Sequence, residues 1–216
     1  MSDVTRRTLL ATLGLAVPAL AYAAEVPSPK RMWTDRDPHE LLRLRHFPDV
    51  ELITHHGKKV RLYSDLIKGK KVVINMMYTR CQGICSPVTA NLSRVQKILG
   101  RHVGREVVFY SFSLKPDEDS PEALREFAKR FRAGRGWTFL TASTTEDMET
   151  VRRSLGFIYS KPEEDADKSR HVGMLRMGDE AAVRWATCPA RANPKHIARA
   201  IGEEFGFGFR AGTRVI

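Results

Sequence analysis

Apolar positions along this chain change period several times, and each change marks an element. "VELITHHGKKVRLYSDL" holds two short strand-like runs on either side of His56-Gly57, the signature of a hairpin. "KKVVINMMYT" is a short unbroken apolar run, as in a strand covered on both faces. After Cys85, the residues Val88, Leu92, Val95 and Leu99 recur at helical spacing. Ser86 is placed to cap this helix, Pro87 to open its first turn and Gly100 to end it. "REVVFYSFSL" reads as a second buried strand and "SPEALREFAKRFRA" as an amphipathic helix. "WTFLT" is a short strand, and "TTEDMETVRRSLGF" a helix with an acidic first turn. "SKPEEDADKSR" reads as a charged loop. "HVGMLRMG" and "AAVRWAT" read as paired strands around Gly178-Asp179, and "NPKHIARAIGEEFG" as the last helix.

The predicted order is hairpin, β, α, β, α, β, α, β, β, α. Such alternation gives an α/β fold, a central sheet with helices on both faces, and the closing hairpin makes that sheet mixed. A strand–loop–helix unit with two cysteines in the loop, followed later by a hairpin and a helix, is the layout of a thioredoxin-like fold.

The first 23 residues stand apart from this pattern. Arg6 and Arg7 precede an apolar run from Leu9 to Ala21, and Ala21-Tyr22-Ala23 fits an export cleavage site. Thr5-Arg6-Arg7-Thr8-Leu9-Leu10 is similar to a twin-arginine signal, which implies a periplasmic destination. The run is too short to span a bilayer and Pro18 interrupts it. The expected division is therefore a signal at 1–23, a Pro-rich and charged linker with one short helix at 24–45, a folded domain at 46–210 and a tail at 211–216. Lys and Arg number 36 against 25 Asp and Glu, for a net charge of +11. Loss of Arg6, Arg7 and Asp3 with the signal removes only one of those charges. An exported basic protein meets little nucleic acid. Its charge suits acidic proteins or an anionic membrane surface.

Three cysteines in an oxidising compartment leave one over. Cys81 and Cys85 frame "CQGIC", and Cys188 is the remainder, read as a partly buried free thiol at a strand end. Arg80 beside Cys81 and a helix N-terminus beside Cys85 both favour thiolate. A thiolate is both a soft metal ligand and a nucleophile, so the pair fits a metal site, a redox couple or a structural disulfide. Three intervening residues with a flexible Gly83 keep a disulfide feasible and also let both sulfurs turn toward one external atom. A closed zinc site needs four ligands, and no second Cys-x-x-Cys or His pair is present at the usual spacing. Copper(I) accepts two thiolates and one imidazole. Seven histidines compete for that place. His55 and His56 read as exposed turn residues, and His171, closing the charged loop and opening a strand, is the best placed. Residues Ser160 to Arg170, with little to pack, are expected to move and gate the site. Asp119 reads as a turn residue ahead of the Ser120-Pro121 helix start.

Three segments carry a family resemblance. "KVVINMMYTRCQGICSPVTANLSRVQKIL" resembles the Cys-x3-Cys segment of the SCO/SenC copper chaperones. "SFSLKPDEDSPEAL" resembles the Asp-rich stretch that follows it there, and "SRHVGMLRMGDEAAVRW" the segment with the ligand histidine. The resemblance covers about residues 48 to 205. It implies a thioredoxin-like fold, a copper ion held by Cys81, Cys85 and His171, and a role in building the copper site of a partner such as a cytochrome c oxidase subunit. It leaves a second role open, a thiol–disulfide oxidoreductase in which Cys81 and Cys85 cycle to reduce the cysteines of a copper-receiving protein. Whether the protein is an enzyme turns on that alternative. The chain departs from the family at Gln82 and Ser86, where proline often follows each cysteine, at Lys115 of the Asp-Pro pair, and at Arg170, where Asp often precedes the histidine.

Overall fold

The computed structural model describes residues 37–167 and 173–207. The expected export signal at 1–23, His171 and the expected tail at 211–216 lie outside them. Helix α1 (Pro38–His46) opens the described chain, with the Asp37 side chain accepting from the His39 backbone N–H. Strands β1 (Glu51–Thr54) and β2 (Lys59–Arg61) form the expected hairpin. A single wide helical turn (Leu62–Ile67) leads to β3 (Lys71–Met77), the strand that leads to the cysteines. Then follow α2 (Cys85–Leu99), β4 (Val108–Ser113), α3 (Pro121–Arg130), β5 (Trp137–Ala142) and α4 (Thr145–Ser154). A short α5 (Pro162–Ala166), the hairpin β6 (Met174–Asp179) and β7 (Arg184–Pro189), and α6 (Pro194–Phe205) complete the order.

The seven strands make one mixed sheet in the order β2-β1-β5-β4-β3-β6-β7. Strands β3, β4 and β5 run parallel at its centre, while β1 and β6 pair antiparallel on either side. The unbroken apolar run of β3 is explained by this position. From Val72 to Met77 every side chain is buried, on alternate faces of the sheet. α2 packs beside α6, and the amphipathic stripe read in the sequence is its buried face, with Val88, Leu92, Val95 and Leu99 all within 2% of fully enclosed.

Four local expectations change. Ser86 does not cap α2. Ile84 already has helical backbone angles, so Cys85 is the first helical residue and Val88 N–H bonds to Ile84 C=O at 2.9 Å. Pro87 falls inside the first turn, where a missing N–H costs nothing. Thr144, the first residue of the segment read as a helix, lies outside α4 and caps it by accepting from Asp147 N–H. His55 is not an exposed turn residue. Its Nδ1 accepts the Phe139 N–H at 3.2 Å and its ring stands edge-on to Phe139, leaving it 7% exposed.

The charged loop is the fourth. Residues 162–166 form α5, and Asp165 is buried in a two-pronged ion pair with Arg152 of α4, at 2.7 and 2.5 Å. Arg152 Nη1 also donates to Phe157 C=O, and Tyr159 N–H bonds to Asp165. Both charges are enclosed and paired, an arrangement that costs several kcal/mol to break. This half of the segment is anchored, against the expectation of a loop with little to pack. Residues 168–170 lie outside the described part.

Candidate functional site

The cysteine loop emerges at the C-terminal end of β3, an interior strand between parallel β4 and antiparallel β6. Cys81 follows a turn closed by its N–H on Tyr78 C=O, and Cys85 begins α2. Both are free thiols, Cys81 8% exposed and Cys85 fully enclosed. Their side chains meet. The Cys85 thiol donates to the Cys81 sulfur, which also receives the backbone N–H of Cys85, that of Gly83 at 3.4 Å and the Tyr78 hydroxyl.

These contacts split the two thiols. Burial pushes Cys81 up, but the converging donors outweigh it and hold the thiol below its ordinary value. Burial pushes Cys85 well above its ordinary value, and donating to Cys81 adds to that. Tyr78 is pushed up to about 12 by burial and by its hydrogen bond to Cys81. The expectation that a helix N-terminus would favour thiolate at Cys85 therefore fails, because enclosure dominates there. Thiolate character collects on Cys81, through hydrogen bonds and not through Arg80, whose side chain is exposed.

Asp119 is the residue whose role the sequence did not disclose. It is fully buried. Its carboxyl oxygens accept the Thr79 N–H at 3.1 and 3.2 Å, the Thr79 hydroxyl at 2.5 Å and the Ser113 hydroxyl at 2.6 Å. Capping of α3 falls to Ser120, whose Oγ accepts from Ala123 N–H. Asp119 thus fastens the residues just before Cys81 to the end of β4. The hint in the sequence was an Asp between a strand end and a Ser-Pro helix start, but its partner lies 40 residues away.

The start of β6 closes the other side. Asn91 of α2 donates to Ala190 and Ala192 C=O at 2.9 and 2.8 Å, and Ala190 N–H bonds to Gly173 C=O. Gly173 is thereby pressed against the loop, so closely that a Cβ there would come within 3.2 Å of Ile84 Cδ1. Of the other sequence candidates, Cys188 is half-buried on β7 opposite Leu175. His102 bonds to Glu106 at 2.7 Å, His39 bonds to Glu180 at 2.9 Å, and His196 is exposed on α6. Among the described residues no three His, Cys, Asp or Glu side chains gather as a metal-ligand set. The third expected ligand, His171, is outside the described residues.

A sulfur pair at the junction of a central parallel strand and its helix, beside an antiparallel hairpin, defines a thioredoxin-like protein with a two-thiol site. Within that class the chain belongs to the SCO1/SenC family, whose model matches residues 42–205. The SCO1 protein homolog of Bacillus subtilis (strain 168) is 36% identical over 129 residues, 59% of this chain and 65% of that protein. That match spans less than two thirds of the relative's length. Among solved structures, BsSco superposes with a TM-score of 0.60 at 24% identity over 76% of this chain and 95% of its own. It is a member of the Sco family of cytochrome c oxidase assembly proteins in which a disulfide switch has been identified. Bradyrhizobium japonicum ScoI with copper bound gives a TM-score of 0.59 at 20% identity over 73% and 98%.

Proposed function

We propose that this protein is an exported copper carrier, working in the periplasm after removal of its twin-arginine-type signal. It holds copper(I) on Cys81, Cys85 and His171 and delivers it to a copper-receiving protein such as a cytochrome c oxidase subunit. The observation that carries the reading is the meeting of two buried thiols at the C-terminal end of an interior strand. Two soft sulfur donors in a water-poor pocket suit a soft monovalent ion and leave a zinc site two ligands short. His171 is joined to Gly173 through a single residue, a span of at most about 7 Å, and Gly173 touches the loop through Ile84. That short tether supports an imidazole at position 171 as the third ligand. The copper-bound Bradyrhizobium relative and the oxidase assembly role of BsSco support the cargo and the acceptor.

A second reading has its own observation. One thiol with lowered pKa facing one with raised pKa is the asymmetry of an attacking and a resolving cysteine. Cys81 thiolate would attack a partner disulfide, release one partner thiolate and form a mixed disulfide. Cys85 would then displace the second partner sulfur, leaving the partner reduced and Cys81–Cys85 oxidised. The disulfide switch of BsSco fits this role. Copper(I) titration of the reduced, processed protein against a competing chelator separates the two. The carrier reading expects one tightly held ion per chain. Weak binding together with stoichiometric reduction of a partner disulfide would replace it with the reductase reading.

A further inference from the structure

A second charged surface lies a full helix away from the cysteines. α2 runs 15 residues from Cys85 to Leu99, about 22 Å at 1.5 Å per residue. Around its far end Lys97, Arg101, Arg105, Arg132 and Arg135 line a concavity of about 420 Å³. All five are exposed, and among the described residues none of them forms an ion pair. No carboxylate lines the concavity either, and the neighbouring Glu106 is bonded to His102 Nδ1. Helices elsewhere are different. On α3 and α4, Arg125, Lys129 and Arg152 each pair with a glutamate three residues earlier.

The backbone that carries these unpaired cations is held by dedicated contacts. Gln96 of α2 accepts the Gly134 N–H at 2.9 Å and donates to Arg135 C=O at 3.0 Å. The loops before β4 and β5 touch backbone to backbone, since a Cβ on Gly136 would fall 2.3 Å from the Gly104 nitrogen. Arg132 sits two residues past the end of α3 with φ of +54°, in the left-handed region where glycine is favoured. An arginine is held there against its backbone preference.

We propose that this pole is a docking surface for an anionic phospholipid bilayer, engaged through headgroup phosphates. Protein interfaces centre on aromatic and arginine anchors enclosed in packed pockets, whereas this concavity has no aromatic residue and its arginines are all exposed. The exposed large apolar residues Leu44, Ile158 and Val183 all lie outside it. What it offers is unneutralised cation density, which suits a charged planar surface. No described helix is long and apolar enough to cross a membrane, so contact of this kind is peripheral. Docked this way, the protein keeps its cysteine loop at the far end, turned to the aqueous side. The inference stands independently of whether the loop carries copper or electrons.

The test is sedimentation of the processed protein with vesicles of phosphatidylcholine alone or with about one third phosphatidylglycerol. Binding is expected only to the anionic vesicles, and it should vanish at high salt as charges are screened. The double variant Arg101→Gln/Arg105→Gln should lower partitioning by about tenfold or more. Arg132→Gly should lower it several-fold while the melting temperature holds or rises, because glycine relieves the backbone. Lys59→Gln, on β2 and paired with Glu51, should leave binding unchanged. Equal binding to neutral vesicles, no binding to anionic ones, or an equal drop in Lys59→Gln would overturn the proposal. So would capture by an acidic protein without vesicle binding.

Discussion

Replacing Cys85 with serine is expected to weaken copper(I) binding by about a thousandfold or more, roughly 4 kcal/mol, while the protein still folds. The thiol is fully enclosed and opposes the Cys81 sulfur, so no water or neighbouring side chain can take its place. A serine hydroxyl is a hard ligand that stays protonated, whereas the metal binds a sulfur that has given up its proton. The same burial that pushes the Cys85 thiol up makes the proton release part of binding. Oxygen for sulfur is a near-isosteric change, and loss of stability should stay within about 1–3 kcal/mol. Chelator competition reads the affinity and a thermal melt reads the fold. Binding within tenfold of the parent would remove Cys85 from the ligand set.

The second large effect is on stability. Asp119→Ala is expected to destabilise the protein by about 3 kcal/mol or more, measured by urea unfolding. The substitution leaves the Thr79 N–H, the Thr79 hydroxyl and the Ser113 hydroxyl facing a void, and each orphaned buried donor costs about 1–3 kcal/mol. Ser113 Oγ also accepts the Lys115 N–H, so the disturbance reaches the turn after β4. Asp119→Asn keeps the shape and one acceptor oxygen, and an intermediate loss is expected. Because Thr79 precedes Cys81 by only two residues, copper(I) affinity should fall too, by about tenfold, the smaller of the two losses discussed. A variant as stable as the parent would show that the Thr79 turn is held by other contacts.

These two residues also mark how far the sequence could be read. The cysteine pair was visible because both cysteines lie within five residues, and β3 because its apolar run was unbroken. The mixed sheet with its helices followed from the alternation of elements along the chain, and Ser120-Pro121 and Asn193-Pro194 announced their helices as they stand. Asp119 was not legible, since its burial depends on Thr79 and Ser113 coming together in three dimensions. The same holds for Asp165. In "SKPEEDADKSR" it looks like one more solvated acid, and only Arg152 on the next helix makes it interior. His55 misled because a histidine beside a glycine turn reads as exposed, while the neighbouring strand β5 supplies the N–H that encloses it. The division of acidity between Cys81 and Cys85 failed for a related reason. Local features favoured thiolate at both, and the extent of burial at each position decided otherwise.

Copper X-ray absorption on the copper(I)-loaded, processed protein, beside His171→Ala, reads the proposed site of two sulfurs and one imidazole at the metal itself. Two sulfur neighbours at thiolate distance and one nitrogen neighbour are expected, with the nitrogen lost in the variant and both sulfurs retained. A first shell of sulfur alone in the parent, or a nitrogen that persists in His171→Ala, would contradict it.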